Sequence, residues 1–242
     1  MNFTGRGILL DIEGTTSSVS FVVDVMFPYV RRELEDYLRG HWGHQDVAQA
    51  LERTAKDLGH DSLGDWCVTS RDVPTMCADV FRLMDGDVKA TGLKALQGLV
   101  WQTGFANGEL QSQVYDDVVP TLQAWNTAGL DVRIYSSGSI QAQKLFFSHT
   151  TRGNLLKHFR NHYDTTTGSK KEAASYTAIA AEYSLPAEEI LFLSDLVAEL
   201  DAARAAGLQT GLLKRPGNAP VAEGHGHPEI ASFKEIVIPT TK

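Results

Sequence analysis

The chain has 242 residues, of which 22 are Lys or Arg and 30 are Asp or Glu, so its formal net charge is −8. Hydrophobic residues make up 43% and charged residues 21%, which excludes a disordered or low-complexity chain. The acidic surplus argues against a nucleic-acid binder, because such proteins use Lys and Arg to displace phosphate counterions. No apolar run approaches the roughly 18 residues of a membrane span. Cys67 and Cys77 make no disulfide framework, and we expect a cytoplasmic protein.

The first predicted element is a short buried strand over 7–11, whose apolar residues end in the carboxylate of Asp11. The pattern then becomes helical, with four apolar stripes that recur at three- and four-residue steps. Pro28 is expected to begin or break a helix within this stretch. Because no strand pattern interrupts the stripes, we predict an all-helical unit over 19–109.

Strands and helices alternate in the rest of the chain. A helix is expected to hold Pro120 in its first turn and to end at Gly129. Further strands are predicted at 131–135, 162–164, 189–193 and 209–213, with helices around Ala142, Tyr176 and 198–206. This alternation predicts a parallel sheet covered by helices on both faces. The expected fold class is therefore α/β, a Rossmann-like parallel sheet formed by 1–18 and 110–242 with the helical unit inserted.

Polar side chains follow three of these strands. They are Asp11 and Glu13 after the first strand, Ser136 and Ser137 after 131–135, and Asp195 after 189–193. Lys170 and Lys171 lie between the last two strands, where a helix is expected to open. Because sites in open α/β sheets lie at the carboxyl ends of the strands, we expect these groups at one edge. Carboxylates, hydroxyls and an ammonium group suit Mg²⁺-assisted phosphoryl transfer through an attacking aspartate.

Four ordered segments resemble the motifs of the haloacid dehalogenase superfamily: Asp11-Ile12-Glu13-Gly14-Thr15, Ser136-Ser137-Gly138-Ser139, Lys170 and Asp195. Further segments narrow the resemblance to the enolase-phosphatase family of methionine salvage: Phe27-Pro28-Tyr29, Gln143-Lys144-Leu145 and Arg215-Pro216-Gly217-Asn218-Ala219. Glu13 stands where most superfamily phosphatases carry Asp and the enolase-phosphatases carry Glu. The resemblance runs from about residue 8 to 219 and is least clear in the helical insert.

The resemblance implies a catalytic core with a helical cap and a Mg²⁺-dependent enzyme with two activities on one small phosphorylated diketone. First, 2,3-diketo-5-methylthiopentyl-1-phosphate would be enolised. The enol phosphate would then lose phosphate and give the acireductone 1,2-dihydroxy-3-keto-5-methylthiopentene. The resemblance also suggests a monomer without nucleic-acid or membrane partners.

The resemblance implies a role for each motif residue. Asp11 would be the nucleophile and a metal ligand, Glu13 a metal ligand and acid–base group, and Asp195 a metal ligand. The phosphate ligands would be Ser136, Ser137 and Lys170, of which Lys170 also assists catalysis. The family commonly reads Gly-His-Lys where this chain reads Gly168-Ser169-Lys170-Lys171. Alignment on the glycine selects Lys170, and Lys171 stays open. Glu199, one helical turn beyond Asp195, is expected to orient a metal-bound water or Lys170.

Two other functions fit the same residues. A sugar-phosphate phosphatase of the same superfamily would share every motif. An aspartate phospho-acceptor module, similar to response-regulator receivers, also places an aspartate, a hydroxyl and a lysine at strand ends, but it is about half this length and lacks a helical insert. The pair His225 and His227 has no third ligand at suitable spacing, so we interpret it as part of a loop.

Overall fold

The computed structural model describes residues 1–86, 88 and 90–239, and the chain separates into two compact units. One unit comprises Met1–Val22 together with the chain from Gln111 onward, and the other comprises Val23–Leu110. The predicted boundaries at 18/19 and 109/110 lie within a few residues of these. Residues 87, 89 and 240–242 fall inside the predicted ranges but outside the described residues. The roles of the two units as core and cap stay a prediction.

The described part of the first unit contains a six-stranded sheet. Its strands are β1 (Gly7–Leu10), β2 (Asp131–Tyr135), β3 (Asn161–Tyr163), β4 (Ile190–Ser194), β5 (Gln209–Leu213) and β6 (Glu229–Ile230). All neighbouring strands are parallel, in the order β3-β2-β1-β4-β5-β6. Leu10 of β1 lies opposite Ile134 of β2 and Leu193 of β4. This register brings the carboxyl ends of the three central strands to one edge.

The second unit is helical in its described residues. Its helices are α1 (Phe27–His41), α2 (Gln45–Asp57), α3 (Leu63–Ser70), α4 (Val73–Asp85) and α5 (Thr91–Ala106). Pro28 is the second residue of α1. A π-helical turn over Phe21–Met26 precedes it. The four predicted stripes lie mainly on α1, α2, α4 and α5, and each has fully buried members, among them Leu34, Leu51, Val80 and Leu96. Val23, predicted in the first stripe, lies in the π-helical turn and is exposed.

Four further helices belong to the first unit: α6 (Val118–Thr127), α7 (Ile140–Ser148), α8 (Ala173–Tyr183) and α9 (Val197–Ala205). Leu9 of β1 belongs to a buried cluster with Ile179 of α8 and Leu200 of α9. Every residue of β1 is buried, as expected for a central strand covered on both faces. Gly129, at a φ of 81°, follows α6 as predicted.

The structure confirms the α/β class and the parallel sheet. Each predicted strand is present to within a residue or two, and the two-residue β6 is an addition. Helix α3 was also missed. Among the described residues, no helix is long and apolar enough to cross a membrane.

Candidate active site

Asp11 lies at the centre of the candidate site. Its backbone N–H donates to the Leu193 carbonyl of β4 at 3.0 Å, which fixes it at the end of β1. Its side chain is buried, and Oδ1 lies 2.6 Å from Nζ of Lys170, which is buried as well. A buried carboxylate without a partner is costly, so the ammonium group compensates it. Lys170 makes this contact, whereas Lys171 is exposed.

A short loop, rather than the expected first helical turn, presents Lys170, because α8 begins only at Ala173. The Tyr176 hydroxyl donates to the Lys170 carbonyl at 2.7 Å, and the Tyr135 hydroxyl donates to the Gly168 carbonyl at 2.9 Å. Both tyrosines are fully buried. These two bonds hold the loop, and therefore the lysine, against the end of the sheet.

Glu199 supplies a second carboxylate that contacts Lys170. Its Oε2 lies 2.7 Å from Nζ of Lys170 and accepts a hydrogen bond from the Ser194 hydroxyl at 2.9 Å. The helical spacing used to predict this contact was wrong, since α9 begins at Val197 and Asp195 precedes it. Glu199 nevertheless reaches Lys170, one of the two groups it was expected to orient. Lys170 thus lies between two carboxylates.

The hydroxyl of Ser136 donates to Oε2 of Glu13 at 3.2 Å and accepts from the Gly138 N–H at 3.1 Å. Ser136 is fully buried, and Ser137 next to it is half-buried. Ser139 is the N-cap of α7 and accepts a hydrogen bond from the Ala142 N–H, which is the capping role open to any serine at this position. Ser136 therefore joins the end of β2 to the segment after β1.

Gln143 fixes the loop that carries the serines, a role that its place in the motif did not reveal. Its Nε2 donates to the carbonyls of Gly138 and Tyr163, both at 2.8 Å, and its Oε1 pairs with Nδ1 of His162 at 3.1 Å. Because Nε2 is occupied as a donor, Oε1 is the acceptor and His162 carries its proton on Nδ1. Burial lowers the pKa of His162 to about 4, so its ring is neutral.

Gly14 makes a tight turn beside Asp195 and Asn218. Its φ is 68°, and a Cβ there would lie 2.2 Å from Oδ2 of Asp195 and 3.0 Å from Oδ1 of Asn218. Only glycine fits both the dihedral angle and the space. Nδ2 of Asn218 donates to the Gly14 carbonyl at 2.9 Å and to the Leu213 carbonyl at 3.0 Å. The turn after β1 is thereby tied to the end of β5.

A buried ion pair holds the next residue of the same turn. Nε of Arg215 donates to the Thr15 carbonyl at 3.1 Å, and its Nη1 lies 2.9 Å from Oδ1 of Asp117. Oδ2 of Asp117 in turn accepts from the Phe233 N–H at 2.6 Å. Arg215 belongs to one of the segments that carry the family resemblance. The structure shows that it anchors the turn that follows Asp11.

Four carboxyl groups interact electrostatically with the ammonium group of Lys170, and two of them, those of Asp11 and Glu199, contact it; the other two belong to Glu13 and Asp195. Burial, and after it the charge of Asp11, raises the pKa of Asp195 to about 6, that of Glu199 to about 7, and that of Glu13 above its ordinary value. Burial works against the charge of Lys170, but Asp11 and Glu199 outweigh it and raise its pKa. The site is short of positive charge.

A divalent cation would supply the missing positive charge. Mg²⁺ prefers oxygen ligands and needs only one or two carboxylates beside waters and phosphate, and Asp11 and Asp195 can supply them. The carboxylate of Glu13 instead faces Ser136. Within the described residues, no three His, Cys, Asp or Glu side chains form a group that could hold a metal. A side-chain metal contact of Glu13 therefore stays a prediction.

Comparison with known proteins assigns the family. A model of the haloacid dehalogenase-like hydrolases matches residues 6–207. The chain is 48% identical to Enolase-phosphatase E1 of Pseudomonas aeruginosa strain UCBPP-PA14 over 97% of this chain and 99% of that protein. The chain belongs to the enolase-phosphatase E1 family. It is accordingly an enzyme of the haloacid dehalogenase-like hydrolase type, as the motifs predicted.

Two further proteins match nearly the whole chain. Enolase-phosphatase E1 of Drosophila melanogaster is 44% identical over 95% of this chain and 91% of its own length. Among solved structures, the UTR4 protein from Saccharomyces cerevisiae matches with a TM-score of 0.80 and 33% identity, over 96% of this chain and all of that one. A solved protein that is 33% identical to this chain therefore shares its fold over nearly the whole length.

Proposed function

We propose that the protein is an acireductone synthase of methionine salvage. It converts 2,3-diketo-5-methylthiopentyl-1-phosphate into 1,2-dihydroxy-3-keto-5-methylthiopentene and inorganic phosphate. The observation that carries the chemistry is the buried pair of Asp11 and Lys170 at the edge where three central strands end. Membership in the enolase-phosphatase E1 family supports the choice of substrate.

Phosphate release is assigned to Asp11 as nucleophile. A carboxylate oxygen of Asp11 attacks phosphorus, the ester P–O bond breaks, and the leaving enol oxygen takes a proton from Glu13. Water then attacks the aspartyl-phosphate, Glu13 takes a proton from that water, and inorganic phosphate leaves with Asp11 regenerated. Glu13 suits this exchange because its buried carboxyl group lies beside Asp11 and hydrogen-bonds Ser136.

The phosphate oxygens are assigned to Lys170, Ser136 and Ser137. Lys170 supplies positive charge in a buried setting, where electrostatic stabilisation is strongest. Glu199 positions the ammonium group, since its Oε2 lies 2.7 Å from Nζ of Lys170. When bound by Asp11 and Asp195, Mg²⁺ would neutralise charge on the substrate's phosphoryl and carbonyl oxygens.

Enolisation moves a proton from the carbon beside a carbonyl to the base, and the carbonyl oxygen takes a proton from solvent, to which the base returns one at the end of the cycle. Glu13 is the candidate base, because it lies next to the serine loop that is assigned to hold the substrate phosphate. The variant Glu13→Gln keeps the hydrogen-bond acceptor but cannot take the proton. We expect it to stop the rise of enol absorbance in the ultraviolet, and unchanged enol formation would rule out this role.

The substrate is tested by a comparison of phosphate release in Mg²⁺ from the diketo-phosphate and from a panel of sugar phosphates. We expect a kcat/KM for the diketone at least about 100-fold above that of any sugar phosphate, which corresponds to roughly 3 kcal/mol of discrimination. Activity on sugar phosphates alone would identify a general phosphatase. An aspartyl-phosphate that lasts for minutes would identify a phospho-acceptor module.

A cytoplasmic location and a monomeric state stay predictions, and gel filtration tests the latter.

A further inference from the structure

The turn after Asp11 contains buried polar atoms without partners. Within the described residues, the buried side-chain atoms that meet no hydrogen-bond partner are Thr15 Oγ1, Arg215 Nη2 and Asn218 Oδ1. All three belong to this turn or to the segment that ties it to β5. A buried acceptor without a donor destabilises a protein, so a native structure supplies one. The question is which group donates to Oδ1 of Asn218.

The orientation of the Asn218 amide is fixed by its other end. Nδ2 donates to the carbonyls of Gly14 and Leu213, so the amide cannot flip without placing an oxygen against two carbonyl oxygens. Oδ1 is therefore held beside Oδ2 of Asp195, because both atoms lie within 3.0 Å of the point where a Cβ of Gly14 would stand. Both oxygens lie near that point, and an ionised carboxylate cannot donate to Oδ1.

We propose that Asn218 is an outer-sphere ligand of a divalent cation held by Asp11 and Asp195, with Oδ1 accepting a hydrogen bond from a water in the cation's coordination shell. This inference rests on the proposed Mg²⁺ site. Mg²⁺ keeps several of its waters in protein sites, and these waters are strong donors. Groups that orient the ligands of a metal from outside its coordination shell contribute to its affinity. Asn218 is a positioning residue, since it contacts none of the reacting atoms.

An amide supplies both an acceptor next to Asp195 and two donors for the carbonyls of Gly14 and Leu213. An aspartate would keep the acceptor next to Asp195 but lose the two donations to Gly14 and Leu213. An alanine would lose both. Comparison of Asn218→Asp with Asn218→Ala therefore distinguishes the effect of losing the acceptor from the effect of losing the donors. Asn126, whose amide also bridges two groups in the same unit, supplies the matched control Asn126→Ala.

The experiment is a calorimetric titration of Mg²⁺ into the full-length, metal-stripped protein. We expect Asn218→Ala to raise the Kd for Mg²⁺ about 10-fold, the lower end of what such outer-sphere substitutions cost. Asn218→Asp should bind Mg²⁺ at least as tightly as the wild type, and Asn126→Ala should match it. A Kd for Asn218→Ala within twofold of the wild type would overturn the proposal. So would equal weakening in both Asn218 variants, because the lost donors would then be the cause.

A measurement on the wild type avoids any folding defect of the variants. The side-chain amide signal of Asn218 in a ¹⁵N-correlated NMR spectrum is assigned by its loss in Asn218→Asp. That signal should shift as Mg²⁺ saturates the protein, because Oδ1 gains a hydrogen bond. An unshifted signal at saturation would overturn the role of Asn218 alone. Absence of any Mg²⁺ binding to the wild type would instead overturn the metal site of the proposed function, and with it this inference.

Discussion

Replacement of Glu199 by glutamine tests how the site distributes its charge. The variant Glu199→Gln keeps the shape of the side chain and an acceptor for the Ser194 hydroxyl, but removes one of the two negative charges that contact Lys170. Removing one member of a buried ion pair usually costs about 3–5 kcal/mol, because the remaining charge is uncompensated. Here Lys170 keeps Asp11 at 2.6 Å, so that penalty does not apply.

The pKa of Glu199 determines the sign and the size of its effect on the free energy of unfolding. Burial and the charge of Asp11 raise it from 4.5 to about 7, so the folded protein disfavours the ionised carboxyl group. Below pH 4.5, Glu199 is protonated in both the folded and the unfolded chain. Between pH 4.5 and 7 only the unfolded chain loses the proton, so the wild type loses stability as the pH rises. The full loss, at most about 3 kcal/mol, is present above pH 7.

We therefore expect Glu199→Gln to be more stable than the wild type at pH 8, by up to about 3 kcal/mol, and equal to it near pH 4.5. We also expect kcat to fall about 10- to 100-fold, because Lys170 loses one of the two carboxylates that hold it. Stability is measured by urea unfolding in EDTA across this pH range. Glu172→Gln, at an exposed position, should keep the wild-type kcat.

A different result would show that the reasoning is wrong. If Glu199→Gln were several kcal/mol less stable than the wild type at pH 8, Glu199 would be a net stabilising partner of Lys170. If its kcat and Mg²⁺ affinity both equalled those of the wild type, Glu199 would orient neither the lysine nor a water on the cation.

Two further variants test the contacts that hold the site. Gln143→Leu removes the donations that hold the Gly138 and Tyr163 carbonyls. We expect the inhibition constant of inorganic phosphate to rise about 10-fold, roughly one lost charge-assisted bond. An unchanged constant, as expected for the exposed control Gln123→Leu, would refute this role. Asp117→Ala leaves Arg215 buried without its counter-charge. We expect urea unfolding to show a free energy of unfolding about 3–5 kcal/mol lower than that of the wild type. A decrease below about 1 kcal/mol would show that the pair does not anchor the turn.

The strands and most helices could be predicted from the sequence, because burial on one or both faces leaves a periodic pattern. Helix α3 could not, since only Trp66 and Ser70 of its eight residues are buried and no apolar stripe results. Its signal was the cap, because the Ser62 hydroxyl accepts from the Asp65 N–H. Strand β6 has two residues, and its pairing with β5 depends on packing rather than on a local pattern.

In the candidate site too, the sequence indicates some features through local patterns, while others depend on packing. The rule that parallel strands end at one edge brought Asp11, Ser136 and Asp195 together in the prediction. The partners that fix them come from distant parts of the chain: Arg215 pairs with Asp117, and Asn218 reaches back to the turn after β1. Such contacts depend on how the elements pack, so no local pattern in the sequence indicates them.

The central claim is that one site enolises the diketone and then removes its phosphate through Asp11. It is tested most directly by rapid mixing of the diketo-phosphate with enzyme and Mg²⁺, with enol absorbance and released phosphate followed in the same reaction. We expect the enol signal to precede phosphate in the wild type, and Asp11→Asn to release no phosphate. Phosphate release from Asp11→Asn at the wild-type rate, or from the wild type without a preceding enol, would contradict the account.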